Sequence, residues 1–89
     1  MNITIALYDF YTDDVIIKKP FNVVKETDKC YFTKHGRYLK SEIGIAKLKY
    51  ATKYPYVEVI MVDADEQALR IALRQWFLEK TCVVLTHNR

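Results

Sequence analysis

The feature that most constrains this chain is a change of apolar period at residue 63. Tyr56 to Val62 alternates as a strand does, with Val57, Val59 and Met61 on one face, Tyr56, Ile60 and Val62 on the other, and Glu58 as its one charge. From Ala64 to Lys80 the spacing becomes helical: Leu69, Ala72, Leu73, Trp76 and Phe77 fall within about 140° of arc when each residue turns roughly 100°. A strand apolar on both faces, followed at once by an amphipathic helix, predicts a helix lying on a sheet whose central strand is covered on both sides, or on one side with a partner on the other. At the junction, Asp63 with Glu66 three residues on has the pattern of a capping box, and Asp63, Asp65 and Glu66 complement the positive end of the helix. Capping accounts for these acids without assigning them a metal or acid–base chemistry.

Upstream, Ile3, Ile5 and Leu7 alternate with Thr4, Ala6 and Tyr8, which predicts a first strand over Asn2 to Tyr8 with Ile3, Ile5 and Leu7 toward the core. Val15 to Lys19 is a short β-branched run ended by Pro20, which lacks a ladder donor. Phe21 to Glu26 and Cys30 to Lys34 flank Thr27-Asp28-Lys29 and read as a hairpin. Arg37 to Lys40 continues as a short strand, Ser41 to Gly44 as a single turn, Ile45 to Tyr50 as a strand, and Tyr54-Pro55 as a loop. Thr81 to Thr86 is β-branched and predicts a short last strand. The fold class expected is therefore α+β: one domain over 1–89, an antiparallel and mostly meander sheet of about five strands, one helix from Ala64 to Lys80, and a short C-terminal strand.

With only two glycines, a backbone phosphate cradle is not expected, and neither is a nucleophile elbow or a His-Glu-x-x-His pair. The two histidines, His35 and His87, have no partner in the sequence; His35, Arg37 and Tyr38 in one turn are the place where catalysis would sit if there were any. Cys30 and Cys82 stand 52 residues apart, without zinc-ligand spacing, and pair only if their segments are neighbours. No enzyme activity, no cofactor and no metal are expected. No apolar run approaches the roughly 20 residues a membrane span needs, and no secretory signal is visible, so the expected setting is cytoplasmic.

The charge of +3 is unevenly placed. Residues 29 to 53 carry Lys29, Lys34, Arg37, Lys40, Lys47, Lys49 and Lys53 against Glu42 alone, interleaved with Tyr31, Phe32, Tyr38, Tyr50 and Tyr54. A strand face with Lys29, Tyr31, Lys34, Arg37, Lys40, Lys47, Lys49 and Lys53 would contact phosphates and stack bases, although the same lysines also serve a plain solvated sheet face. Ile71 and Leu78 project about 180° to 200° from Leu69, where a surface helix is normally polar, and so predict a second contact, with the C-terminal segment or with a partner. Together with seven tyrosines and the Arg37-Tyr38 turn, they make a protein partner the leading expectation; homodimerisation would satisfy the same facts.

Val23-Val24-Lys25-Glu26-Thr27-Asp28-Lys29-Cys30-Tyr31-Phe32, followed by Gly36-Arg37-Tyr38-Leu39-Lys40-Ser41-Glu42-Ile43-Gly44, resembles a hairpin and turn pattern of small proteins of bacteriophages and mobile elements, over about a quarter of the chain. The resemblance implies provenance in a bacterial host cytoplasm. It also implies a role like that of host-takeover and counter-defence inhibitors, anti-CRISPR proteins included, which occupy a host protein's surface. It carries over no binding residue.

Overall fold

A computed structural model describes the backbone of residues 1–50 and 55–87 and the side chains of those up to 79. The strands are β1 (Asn2–Asp9), β2 (Asp14–Ile17), β3 (Phe21–Asn22), β4 (Lys25–Glu26), β5 (Cys30–Thr33), β6 (Gly36–Leu39), β7 (Lys47–Tyr50) and β8 (Pro55–Val62), with a 3₁₀ turn at Lys40–Glu42 and one helix, α1 (Glu66–His87). They form two antiparallel sheets. The larger runs β2-β1-β8-β7, with β3 also on β1; the smaller is β4-β5-β6. The α+β class is as expected, but the strands form two sheets where one meander was expected.

The strand that is apolar on both faces is central, as its pattern requires. β8 pairs with β1 from Ile3↔Val62 to Asp9↔Tyr56 and with β7 from Lys47↔Glu58 to Tyr50↔Pro55. On one face of this pair, Ala6, Val57 and Val59 form the core with Leu69 and Leu73 of α1. Ala6 opposite Val59 keeps that surface low enough for a helix to approach. Ile3 and Ile5 belong to the other face, yet both are buried. The smaller sheet approaches this face: Tyr38 of β6 is partly desolvated and senses the charges of Glu58, which pairs with Leu7 in register, and of Lys49. The alternation in β1 therefore marks two core faces. The helix takes the side of Thr4, Ala6 and Tyr8, whereas the expectation had set Ile3, Ile5 and Leu7 toward a single core.

Four rings tie α1 to the end of β1. Tyr8 meets Phe10 and Phe77 edge-on at 5.1 and 5.0 Å, and Trp76 lies 4.9 Å from Phe77 and 6.3 Å from Phe10. Such pairs contribute about 0.5–1.5 kcal/mol each beyond the area they bury.

The hairpin around Thr27 forms as expected. The Thr27 N–H donates to the Cys30 carbonyl at 2.9 Å, and the Cys30 N–H donates to Thr27 Oγ1 at 3.2 Å. Its first arm is shorter than Phe21 to Glu26, because the chain changes partner midway: the Val23 N–H donates to the Met1 carbonyl and the Val24 N–H to that of Phe32. Phe21 and Asn22 thus join β1, and only Lys25 and Glu26 pair with β5.

Two further expectations are corrected. The helix is capped by Asp65, whose Oδ1 accepts from the Ala68 N–H at 2.8 Å while its carbonyl accepts from Leu69 N–H. Asp63 has φ 52° and accepts instead from the Asn2 N–H at 2.8 Å, and Glu66 pairs with Arg70, so no capping box forms. The positive φ takes Asp63 out of the extended geometry an N-cap needs. Secondly, Thr81 to Thr86 is helix, not strand. Between Lys80 and His87 there is neither glycine nor proline, and each β-branched residue costs a running helix less than about 0.7 kcal/mol, while propagation adds a hydrogen bond per residue.

Candidate functional site

Gly44 lines a concave surface on the helix side. With φ +83° it adopts a turn that L side chains rarely reach, and its N–H donates to the Ile60 carbonyl at 2.7 Å. This hydrogen bond holds the segment leading into β7 beside α1. Gly44, Ile45 and Ala46 form one wall of a groove of about 500 Å³, Ala68, Ile71, Ala72 and Gln75 form the other, and Met61 and Trp76 also line it. The lining is mostly apolar, with Glu79 and Gln75 at its polar margin.

Ile71 is 59% exposed and Leu78, two helical turns further on, is 52% exposed. The excess apolar residues of the helix are therefore uncovered by the described residues, and Ile71 forms part of the groove wall. Ile45, 54% exposed across the groove, extends the same patch. Sequence reasoning missed Ile45; its signal was the glycine before it, which turns the chain toward the helix.

Arg37 and Tyr38 lie elsewhere. Adjacent residues on β6, they point to opposite faces of the small sheet, Arg37 beside Phe32 and Tyr38 beside Tyr31 in register. Burial first, then the Glu58 carboxylate, pushes the Tyr38 phenol up, and Glu58, opposite Leu7, belongs to the face of the larger sheet away from α1. The four residues expected to meet a partner thus occupy two sides of the molecule.

The basic segment is also divided. Lys29, Tyr31, Lys34, Arg37 and Lys40 belong to the small sheet and its turns, Lys47 and Lys49 to the edge strand β7, and Lys53 lies outside the described residues. Much of this charge is neutralised within the fold. Lys40 pairs with Glu26 at 2.5 Å and lies 5.0 Å over the Tyr31 ring, Lys49 pairs with Glu58 at 2.9 Å, and Lys47 reaches Glu42 at 3.4 Å. A single continuous basic strand face does not form. Lys29, Lys34 and Arg37 keep exposed positions and have no ion pair among the described residues.

Cys30 is buried with a free thiol, and the Cys82 side chain lies outside the described residues, as do Tyr54 of the expected loop and the side chain of His87. No group of three or more His, Cys, Asp or Glu that could hold a metal occurs among the described residues. Nor is any helix there long and apolar enough to cross a membrane.

Comparison with protein-family models, with curated proteins and with solved structures gives no match for this chain.

Proposed function

We propose that this chain is a non-enzymatic binding protein that inhibits or redirects another protein by surface contact, its contact surface being the outer ridge of α1 and the groove beside it. The observation that carries this reading is the exposure of Ile71 and Ile45 on the two walls of an apolar groove that Gly44 also lines, with exposed Leu78 on the same helix two turns beyond Ile71. Helices normally keep such residues on the core side, and an exposed apolar ridge beside an apolar groove favours burial against a partner. The resemblance of its hairpin and turn to small phage proteins makes a bacterial host protein, such as a defence component, the kind of target to seek.

The test pairs I71D/L78D with the parent chain. Both side chains are already exposed, so the variant should melt within a few degrees of the parent. Immobilised parent chain should retain a defined set of proteins from bacterial lysate, and the variant should lose them. An unchanged set would refute the assignment. Light scattering behind size exclusion is the companion measurement: a dimer that the variant converts to monomer would reassign the ridge to self-association.

A further inference from the structure

Two of the cations without an ion pair among the described residues, Lys19 and Lys34, converge where the two sheets meet, at a place the sequence does not indicate. The connection from β2 to β3 carries Lys19, and the turn from β5 to β6 carries Lys34 and His35; these residues, with Phe21 and Asn22 of β3, line a cavity of about 570 Å³. That volume lies within the range of small-ligand pockets. No carboxylate lines it. Neither Lys19 nor Lys34 has an ion pair among the described residues, unlike Lys40, Lys47 and Lys49, so both ammonium groups are available. The Phe21 and His35 rings, one from each sheet, lie 4.5 Å apart with their planes 48° from each other and form an aromatic wall. Asn22 adds an amide able both to donate and to accept.

Two ammonium groups suit a phosphate, an aromatic wall suits a flat heterocycle, and an amide suits the polar edge of that heterocycle. We infer that this cavity binds a nucleotide, with the phosphate held by Lys19 and Lys34 and the base against Phe21 and His35. The site is separate from the α1 groove, and it would stand if the reading of the groove failed. A nucleotide can arrive free or as one unit of a single strand, and the two sources differ in their response to salt. One phosphate gives a shallow dependence of affinity on salt, whereas a strand that meets several cations gives a steeper one.

The experiment is a titration of the ¹⁵N-labelled full chain, followed by its amide resonances, with adenosine monophosphate, with an eight-nucleotide single strand and with inorganic phosphate. Saturable shifts should centre on Asn22, Lys34, His35 and Gly36. The variant K19A/K34A, which changes only exposed side chains, should keep the spectrum of the folded protein and weaken binding by about tenfold for each charge-assisted hydrogen bond lost. Binding of the monophosphate as tightly as the strand supports a free nucleotide, and tighter, salt-steep binding of the strand supports a nucleic acid. Absence of shifts at millimolar ligand, shifts centred elsewhere, or inorganic phosphate binding as tightly as the nucleotide would each overturn the inference.

Discussion

Lys47 and Lys49 stand on the same side of the same strand, yet removing them should have very different effects. Lys49 Nζ lies 2.9 Å from Glu58 Oε1, and the Glu58 side chain is only 13% exposed. Lys47 pairs at 3.4 Å with Glu42, and both of those side chains are more than 40% exposed. At 2.9 Å, Coulomb attraction is about 1.4 kcal/mol in water and about 6 kcal/mol at an effective dielectric of 20. Desolvation of Glu58 and solvent screening of the half-exposed Lys49 offset most of the larger figure. The expected cost of Lys49→Ala is therefore about 1–2 kcal/mol, most of it from a half-buried carboxylate left without its donor. Lys47→Ala should cost less than about 0.5 kcal/mol. Urea denaturation followed by the fluorescence of Trp76 reads both, and at an m-value near 1 kcal/mol per M the Lys49 variant should unfold about 1–2 M earlier.

The pH dependence follows with a definite sign. The hydrogen bond to Glu58 raises the Lys49 pKa, opposed by desolvation and assisted by the Glu58 charge. A raised lysine pKa contributes stability that is fully present below about pH 10.4 and is lost as pH rises through the folded-state value. The parent should thus lose part of its advantage over Lys49→Ala in alkali and keep it at neutral pH. Equal unfolding midpoints for the two variants, or a Lys49 effect abolished by 0.5 M salt at neutral pH, would refute this account of Glu58. The same result bears on any use of charge reversal to probe nucleic acid: Lys49→Glu would set two carboxylates together and damage the fold, so Lys29, Lys34 and Arg37 are the residues to change.

Two further outcomes can be checked by the same denaturation. Leu69→Ala should cost about 3–5 kcal/mol, because Leu69 is among the most buried side chains and packs on Ala6, Val57 and Val59, whereas Ile71→Ala should change stability by less than about 0.5 kcal/mol. Asp65→Ala should cost about 1 kcal/mol through loss of the helix cap, while Asp63→Asn, which tolerates positive φ and keeps an acceptor for Asn2, should be near neutral; the reverse order would restore Asp63 as the cap.

The switch from β8 to α1 was legible because two periodicities meet there without ambiguity, and the Thr27 hairpin because a short polar connection separates two apolar runs. The face of β1 that receives the helix was not legible. Ile3 and Ile5 outweigh Thr4 and Ala6 in hydrophobicity, but the helix needs a low surface as much as an apolar one, and that depends on Val59 across the strand pair. Choosing between two acids for the cap depends on the backbone of Asp63, which is set by a hydrogen bond to Asn2, 61 residues away. The exposed pair Ile71 and Leu78 was readable from the helix alone. Its neighbour Ile45 and the convergence of Lys19 on Lys34 were not, since both depend on how separate segments are brought together.

The two sheets differ in what their assembly demands of the chain. In the small sheet every cross-strand partner is near in sequence: Thr33↔Gly36 closes a tight turn, and even the Lys40–Glu26 ion pair spans only 14 residues. The central pair of the large sheet joins Ile3 to Val62, a far longer loop whose closure entropy has to be met before the contacts that reward it exist. During synthesis, β1 must therefore wait, unpaired on its β8 side, until the chain has been made through Val62, while the small sheet can already form. The small sheet, closed by contacts near in sequence, can thus be in place before the strand that completes the β1 ladder has emerged.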